Sequence, residues 1–578
     1  MPRARGEQEH ERLDRSLVVT LTIVMLAAFV QLLDVSIVNV AIPSIQAKLG
    51  ASSAEIQLVV AGYLMSFSMV LITGARLGDI YGRRKLFVIG MVGFTAASAA
   101  CGAAPTAVFL VVSRVVQGAF SALMFPQVLS VVQVNVPPRH RGRAFGVLGA
   151  VIGLATILGP VIGGSLLALN IAGVDWRAIF YVNVPIGIFA VVGALRRVPD
   201  SRAPDAPRLD LPGAFLATLG VFLVVFPLVQ GRQDGWPAWG WAMLGASIPV
   251  FAAFALTERR RSALNRSPIV HASLAADRAF VSGVVFQIVF FGGLSCFFFV
   301  SGLFLQEGFA MSPLRAGITM LPFAIGTVIA SAASNSLAGR IGVRILSVGT
   351  AVVTIGMAAT LAVVDAVGVD LRSWELTPVL LLSGLGAGLV IPPVINIVLA
   401  GITTKAAGSA SGVLSTTQQL GATLGVALIG VVFFTVLAHS AAPSAAVGST
   451  RLRTELTQAG LPAPVVATVA NGFTVCFDDR MTSIDPSVTP SSCTALERQA
   501  AAAPPAVSAL VTRAVLDSAE PVATRTDFRR ALELSLVYEL VVYALAFGLS
   551  FTLPRVAPEQ LGHAETRAEP AVVEAVPV

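Results

Sequence analysis

The sequence predicts an all-α integral membrane fold of about fourteen transmembrane helices, built as two pseudo-symmetric six-helix bundles with two further helices inserted between them. Three observations carry this expectation. Charged residues make up 12% of the 578-residue chain and hydrophobic residues 55%, against about 25% charged for an ordinary soluble protein. So few charges cannot cover a soluble surface of this size. Apolar runs of membrane-spanning length recur along the chain, and a segment of the first half returns in the second.

A hydrocarbon core about 30 Å thick takes roughly 20 apolar residues in helical form. Such runs fall near 17 to 41, 56 to 75, 86 to 104, 107 to 129, 144 to 169, 178 to 195, 211 to 229, 238 to 257, 279 to 305, 316 to 338, 343 to 364, 376 to 400, 410 to 437 and 531 to 553. The first is too long for a signal-peptide core of about 7 to 15 residues and reads as an uncleaved first helix.

Arginine and lysine in short loops set the orientation. With Arg3, Arg5, Arg12 and Arg15 inside, the alternate loops on that side carry Arg83, Arg84 and Lys85, then Arg139, Arg141 and Arg143, then Arg196, Arg197, Arg202 and Arg208, then Arg259, Arg260, Arg261 and Arg266. The opposite short loops offer little beyond Lys48, Arg232, Arg315 and Arg372. Both termini are therefore expected in the cytoplasm. The net charge of +7 is dispersed between apolar runs, a topology signal that excludes a nucleic-acid partner.

The segment Gly146 to Gly164, GVLGAVIGLATILGPVIGG, aligns without gaps on Gly412 to Gly430, an offset of 266 (412 − 146) that also carries Gly118 to Gly384 and Pro126 to Pro392. The offset maps helices four and five onto twelve and thirteen. A duplication of six-helix halves with two extra helices between them gives that shift. The expected organisation is a cytoplasmic tail (1–16), an N-terminal bundle (17–197), two inserted helices (198–262), five helices of the C-terminal bundle (263–437), an outer loop (438–529), the last helix (530–554) and a disordered cytoplasmic tail (555–578).

Within helix one, QLLDVSIVNVAIP (Gln31 to Pro43) places the carboxylate of Asp34 among residues suited to lipid. In helix four, RVVQGAFSALMFP puts Arg114 and Gln117 one turn apart on one face. Both Asp34 and Arg114 lie roughly 10 Å below the outer surface, close enough in depth to meet. A charge in the core costs several kcal/mol unless it is paired or wet. Asp34 is therefore expected to face an internal cavity, where it can exchange a proton for cargo; a static ion pair that fixes helix register is the alternative. Between helices two and three, GARLGDIYGRRK (Gly74 to Lys85) sets Asp79 inside a cationic cluster, with Gly82 permitting a tight turn. Asp79 with Arg83 suits a two-state gate, while a positive-inside loop accounts for Arg84 and Lys85. Helix five carries GPVIGG, with Gly159, Gly163 and Gly164 allowing close packing and Pro160 a hinge.

These motifs make the chain resemble a major facilitator superfamily transporter of the fourteen-helix drug:proton antiporter branch (EmrB/QacA-type multidrug exporters). LDVSIVNVAIP, LGDIYGRRK, RVVQG, GPVIGG and WRAIFYVNVPIG (Trp176 to Gly187) carry the resemblance, which covers nearly all helices. It implies that Asp34 handles protons or cations, that Asp79, Gly82, Arg83 and Arg84 form a cytoplasmic gate, that Arg114 assists proton exchange, and that Gly159, Pro160, Gly163 and Gly164 mark export. Two departures stand out. Ala75 replaces the usual loop glycine, and the second-half pseudo-repeat LAGRIGVR (Leu337 to Arg344) lacks the acid. Helix thirteen offers Gln418 and Gln419 but no carboxylate, which favours neutral or monocationic lipophilic cargo. Glu533 and Glu539 in the last helix are alternative titratable groups. Glu539 joins the proton or substrate coupling candidates, although an interfacial place suits both, Glu533 above all.

The roughly 90-residue segment from Ala438 to Phe528 falls outside by this topology, and loops of that length are usually functional or disordered. VATVANGF and VSALVTRAVL have helical periodicity, so a small extracellular helical cap is expected, stapled by a Cys476 to Cys493 disulfide permitted outside the cell and leaving room for an outer-face partner. Cys101 and Cys296 lie in apolar runs as packing residues, and the five histidines fall in polar connections or tails, so no metal box can be built. No phosphate-binding loop or nucleophile elbow is present; the chain is expected not to be an enzyme and to use no cofactor beyond a proton gradient. The partners expected are a small lipophilic substrate, protons and the bilayer, and the arginine- and alanine-rich composition points to the inner membrane of a high-GC bacterium. Export of an endogenous lipid, siderophore or metabolite stays open, as does a non-transporting sensor or assembly protein.

Overall fold

The computed structural model describes residues 15 to 553 apart from 52, 171–172, 203–209, 232–234, 265–273, 275, 400–401, 403–406 and 484–488. Every regular element among the described residues is helical. The first half contains α1 (Arg15–Leu49), α2 (Ser53–Tyr81), α3 (Arg83–Gly102), α4 (Ala107–Asn135), α5 (Pro138–Leu169) and α6 (Asn183–Arg197). Two helices follow, α7 (Leu211–Gln230) and α8 (Ala238–Ala263). The second half contains α9 (Arg278–Leu303), α10 (Pro313–Ile341), α11 (Arg344–Val367), α12 (Ser373–Leu399) and α13 (Ala407–Gln458), then α14 (Ala463–Thr482), α15 (Ser491–Ala501), α16 (Pro505–Ala514) and α17 (Glu520–Ser550).

The duplication is visible in how helices approach one another. On α4, a Cβ at Gly118 would lie 2.3 Å from the carbonyl oxygen of Tyr63 on α2; on α12, a Cβ at Gly384 would lie 2.0 Å from that of Phe323 on α10. The next pair behaves alike: Gly159 on α5 abuts Ser36 on α1, and Gly425 on α13 abuts the backbone of Gly292 on α9. Both pairs keep the 266-residue offset of the sequence repeat. Bare backbone at these points lets helices pack within an apolar solvent where close van der Waals contact replaces the hydrophobic drive. The kink expected at Pro160 rests on a side chain outside the described residues.

The two bundles meet where α5 runs along α10 and α2 along α13. The inserted α7 and α8 pack on each other, and α7 rests on α2, where the Thr218 hydroxyl donates to the Met69 carbonyl at 3.0 Å. Among the described residues eleven helices are long and apolar enough to cross a bilayer, or twelve with the bent α2 taken as one span. That measure does not reach fourteen. The run at 211 to 229 is represented by the shorter apolar helix Pro212–Leu228, and the run at 144 to 169 lies on α5, where many side chains are outside the described set. Both chain tails expected from the sequence also fall largely outside the described residues.

At 52 residues, α13 extends for about 78 Å, far more than a bilayer needs. Its extension and the start of α17 carry a cap with its own core: Leu452 and Leu456 of α13 pack with Val466, Phe473 and Phe477 of α14 and Val511 of α16. Cys476 and Cys493 are joined across α14 and α15 with their Cα atoms 4.6 Å apart. At the base of the cap the buried Asp527 of α17 accepts hydrogen bonds from Ser440 at 2.5 Å and Ser444 at 3.3 Å, which ties the two long helices together.

Candidate functional site

Five elements of the first bundle converge on Asp34. Its carboxylate is 0% exposed and Arg114 is 1% exposed, with Arg114 Nη1 2.5 Å from Asp34 Oδ2. The other oxygen, Oδ1, accepts from Gln117 Nε2 at 3.0 Å and from Asn183 Nδ2 at 2.7 Å. Arg114 is itself fixed from three sides: Nη1 also donates to Gln117 Oε1 at 2.7 Å, Nε donates to the Val59 carbonyl at 3.1 Å, and the guanidinium lies 4.3 Å from the centroid of the Tyr63 ring. Tyr63 donates to Ser121 at 2.9 Å and accepts from Gln31 at 3.3 Å; Asn183 also donates to Ser98 at 3.0 Å.

Helix geometry explains the convergence. Arg114 and Gln117 share a face of α4 because they are three residues apart. Gly118 beside them brings that face onto α2 and the Tyr63 carbonyl, and Gly159 brings α5 onto α1 two residues past Asp34. Each charge in this dry setting has several partners, the condition under which a buried ion pair is tolerated. The depth argument that brought Asp34 and Arg114 together is met. The expectation of a carboxylate facing an internal cavity is corrected: three donors enclose it, because Asn183 reaches across from α6. Asn183 was missed from the sequence, although it is the lone amide in the apolar run that opens span six. Gln117 is drawn in on both of its amide atoms.

The loop motif forms a second cluster. Arg83 Nη2 lies 2.7 Å from Asp79 Oδ1, both side chains at most 3% exposed, where a partly buried pair was expected. Gly82 turns the chain between α2 and α3 at φ 104°, a conformation that side chains rarely adopt. A Cβ there would also come within 2.8 Å of the Asp200 carboxylate, which would have to swing aside. The backbone after α6 braces the turn, with Arg83 N donating to the Ser201 carbonyl at 3.0 Å and Arg84 Nη1 lying 3.5 Å from the Val198 carbonyl. The sequence did not single out Arg76, which is 1% exposed and lies in the field of Asp79, Glu258 and Asp210. Asp210 caps α7 through Gly213 N at 2.8 Å and pairs with Arg261 Nε of α8 at 2.9 Å. The inserted helices thus bring two carboxylates to the loop motif.

The glutamates of α17 separate. Glu533 is half-buried and pairs with Arg529 at 3.2 Å. Glu539 is fully buried, which corrects its expected interfacial place: it sits on the inward stripe of α17 with Leu532, Leu536, Tyr543 and Ala546. Cys101 and Cys296 are free and buried, and among the described residues no group of three or more metal-ligating side chains occurs.

Comparison with known proteins places this geometry. The sequence profile of the Major Facilitator Superfamily matches residues 24–426. A "Probable actinorhodin transporter" of Streptomyces coelicolor is 36% identical over 543 residues, 94% of this chain and 92% of that protein. The "Tetracenomycin C resistance and export protein" of Streptomyces glaucescens is 34% identical over 427 residues, 71% of this chain and 75% of its own length. "Multidrug resistance protein Stp" of Mycobacterium tuberculosis is 31% identical, covering 75% of this chain and 78% of itself. Among solved structures, that of the human organic anion transporter MFSD10 (TETRAN) superposes with a TM-score of 0.51 over 73% of this chain and 94% of that one, at 14% identity, a likeness of fold.

Proposed function

The chain belongs to the major facilitator superfamily, and from that premise we propose that it is a proton-coupled antiporter that exports a small lipophilic antibiotic or drug, neutral or singly cationic, by alternating access. The carrying observation is the enclosed network of Asp34, Arg114, Gln117 and Asn183. Relatives named for antibiotic transport, resistance and export support the cargo class.

Asp34 is the pivot of the mechanism. A proton on its carboxyl cancels the charge that holds Arg114 and turns one acceptor oxygen into a donor, so the contacts from Arg114, Gln117 and Asn183 cannot all persist. The seams of α1 with α4 and α6 loosen, and a cavity opens between the bundles. Loss of the proton to the cytoplasm restores the pair and resets the cycle. Asp79 with Arg83 latches the cytoplasmic side, braced by residues 198–202 and by the inserted helices through Arg76. The glycines at 159 and 163 hold α5 against α1 at Ser36 and Ile37, so tilting α5 moves the helix that carries Asp34. Arginine placement sets both termini in the cytoplasm of a bacterial cell. No cofactor is invoked; the proton gradient drives transport.

Everted membrane vesicles energised by a pH gradient test the reading, with ethidium as a lipophilic monocation and an aromatic antibiotic as a neutral probe. Antiport gives uptake into the vesicles that stops when the gradient is collapsed, with a partial loss of the gradient on probe addition. Gradient-independent movement, or none for any probe by folded protein, rejects it.

A further inference from the structure

Glu539 is a further fully buried carboxyl, and unlike Asp34 it has no counter-charge among the described residues. Its stripe of α17 packs on α9, α11 and α13. Among the described residues neither oxygen of Glu539 has a hydrogen-bond partner, nor does the hydroxyl of Tyr543 one turn along. The Tyr543 ring packs edge-on against Phe290 of α9 at 5.9 Å. It fits there beside Gly293, where a Cβ would come within 3.1 Å of the ring.

The ionisable neighbours of Glu539 are few. From α9 comes the buried thiol of Cys296, and from α17 itself Tyr538 and Tyr543. On α11 the only charged residues are Arg344 and Asp365, at its two ends, and α13 has no ionisable side chain between Ala407 and Leu437. Among the described residues no cation bears on the carboxyl. An ionised carboxylate without a partner or water in such a place costs several kcal/mol, so the group holds a proton here.

The location has a counterpart in the other half. The α9–α17 seam of the second bundle corresponds to the α1–α6 seam of the first, where Asp34 meets Asn183. In the first bundle the carboxyl rides on the leading helix and a cation keeps it charged. In the second it rides on the closing helix, with no cation among the described residues to keep it charged.

We propose that Glu539 is the proton-carrying group of the second bundle, loaded in this conformation and discharged when the α9–α17 seam opens to water. On discharge the carboxyl O–H bond breaks, its proton passes to a water molecule, and the carboxylate left behind is solvated by water and by the Tyr543 hydroxyl acting as donor. Reloading is the reverse, and no other reactant is consumed. The proposal rests on the antiport reading and adds a second proton site to the one at Asp34.

Two readouts test it on the full-length protein. In the infrared spectrum of purified wild type at neutral pH, the carbonyl stretch of a protonated carboxylic acid is expected, shifted in D2O and missing from Glu539→Gln. In vesicles, Glu539→Gln is expected to equilibrate ethidium down its gradient as wild type does and to lose pH-driven uphill transport by about tenfold or more, with recovery in Glu539→Asp. Should Glu539→Gln fail to fold, the shift of the acid band between wild type and Glu539→Asp reports the same protonation. Absence of the band overturns the proposal, as does a Glu539→Gln protein that transports and moves protons at the wild-type rate. A wild type that shows the band but couples no probe to protons overturns the antiport reading and the carrier role with it; the band distinguishes that failure from an unprotonated Glu539.

Discussion

Replacing Asp34 by asparagine strands a buried cation, and the cost can be worked from the contacts. In wild type, Arg114 Nη1 sits 2.5 Å from Asp34 Oδ2 with both side chains almost wholly excluded from solvent. The remaining contacts of Arg114, to the Val59 carbonyl, Gln117 Oε1 and the Tyr63 ring, already exist and cannot increase. Removing one partner of such a pair costs about 3–5 kcal/mol, most of it the penalty for the uncompensated charge. The asparagine also turns an NH2 group toward a donor whichever way it is oriented, since Gln117 and Asn183 donate to one carboxylate oxygen and Arg114 to the other. A second substitution, Arg114→Gln, removes the stranded charge and should return roughly 2–3 kcal/mol as a coupling energy. Equilibrium unfolding in mixed micelles of rising denaturing-detergent content measures all four corners of the cycle. If Asp34→Asn lies within about 1 kcal/mol of wild type, or the double mutant is merely the sum of the singles, the pair is not the enclosed ion pair described here.

Two further outcomes follow from the packing. The Cys476–Cys493 bridge closes a short loop in the cap, so Cys476→Ser should cost the cap about 3 kcal/mol; limited proteolysis is expected to cut the cap of the variant first, and maleimide should label neither cysteine of untreated wild type. Gly118→Ala and Gly384→Ala each drive a methyl into backbone 2.0 to 2.3 Å away and should each lose about 1–3 kcal/mol of thermal stability in detergent; Gly245→Ala, which meets nothing within 4 Å, should lose none.

What could be read in the sequence was whatever one dimension encodes. Apolar length gave the helices, and the offset of 266 gave the pairing of α4 with α12 and α5 with α13 that the matched close approaches display. Depth along a helix brought Asp34 to Arg114. Asn183 was out of reach because it enters from α6, a partner that neither depth nor spacing on α4 specifies. The link from Arg76 to Glu258 and Asp210 was hidden likewise, since it depends on how the inserted pair docks. Glu539 stood among the coupling candidates, and the interfacial place also allowed for it fails because that reading left out the face it takes on the helix. Leu532, Leu536, Glu539, Tyr543 and Ala546 follow helical spacing, a signal sufficient to turn the carboxyl inward.

The central claim is that Asp34 couples proton movement to export. Its most direct test is simultaneous recording of ethidium uptake and internal pH in everted vesicles holding wild type or Asp34→Asn at equal amounts of folded protein. The account predicts that wild type accumulates the dye and dissipates part of the gradient, while Asp34→Asn does neither. A variant that accumulates dye and moves protons as wild type does would contradict it and leave the Asp34–Arg114 pair a fixed strut.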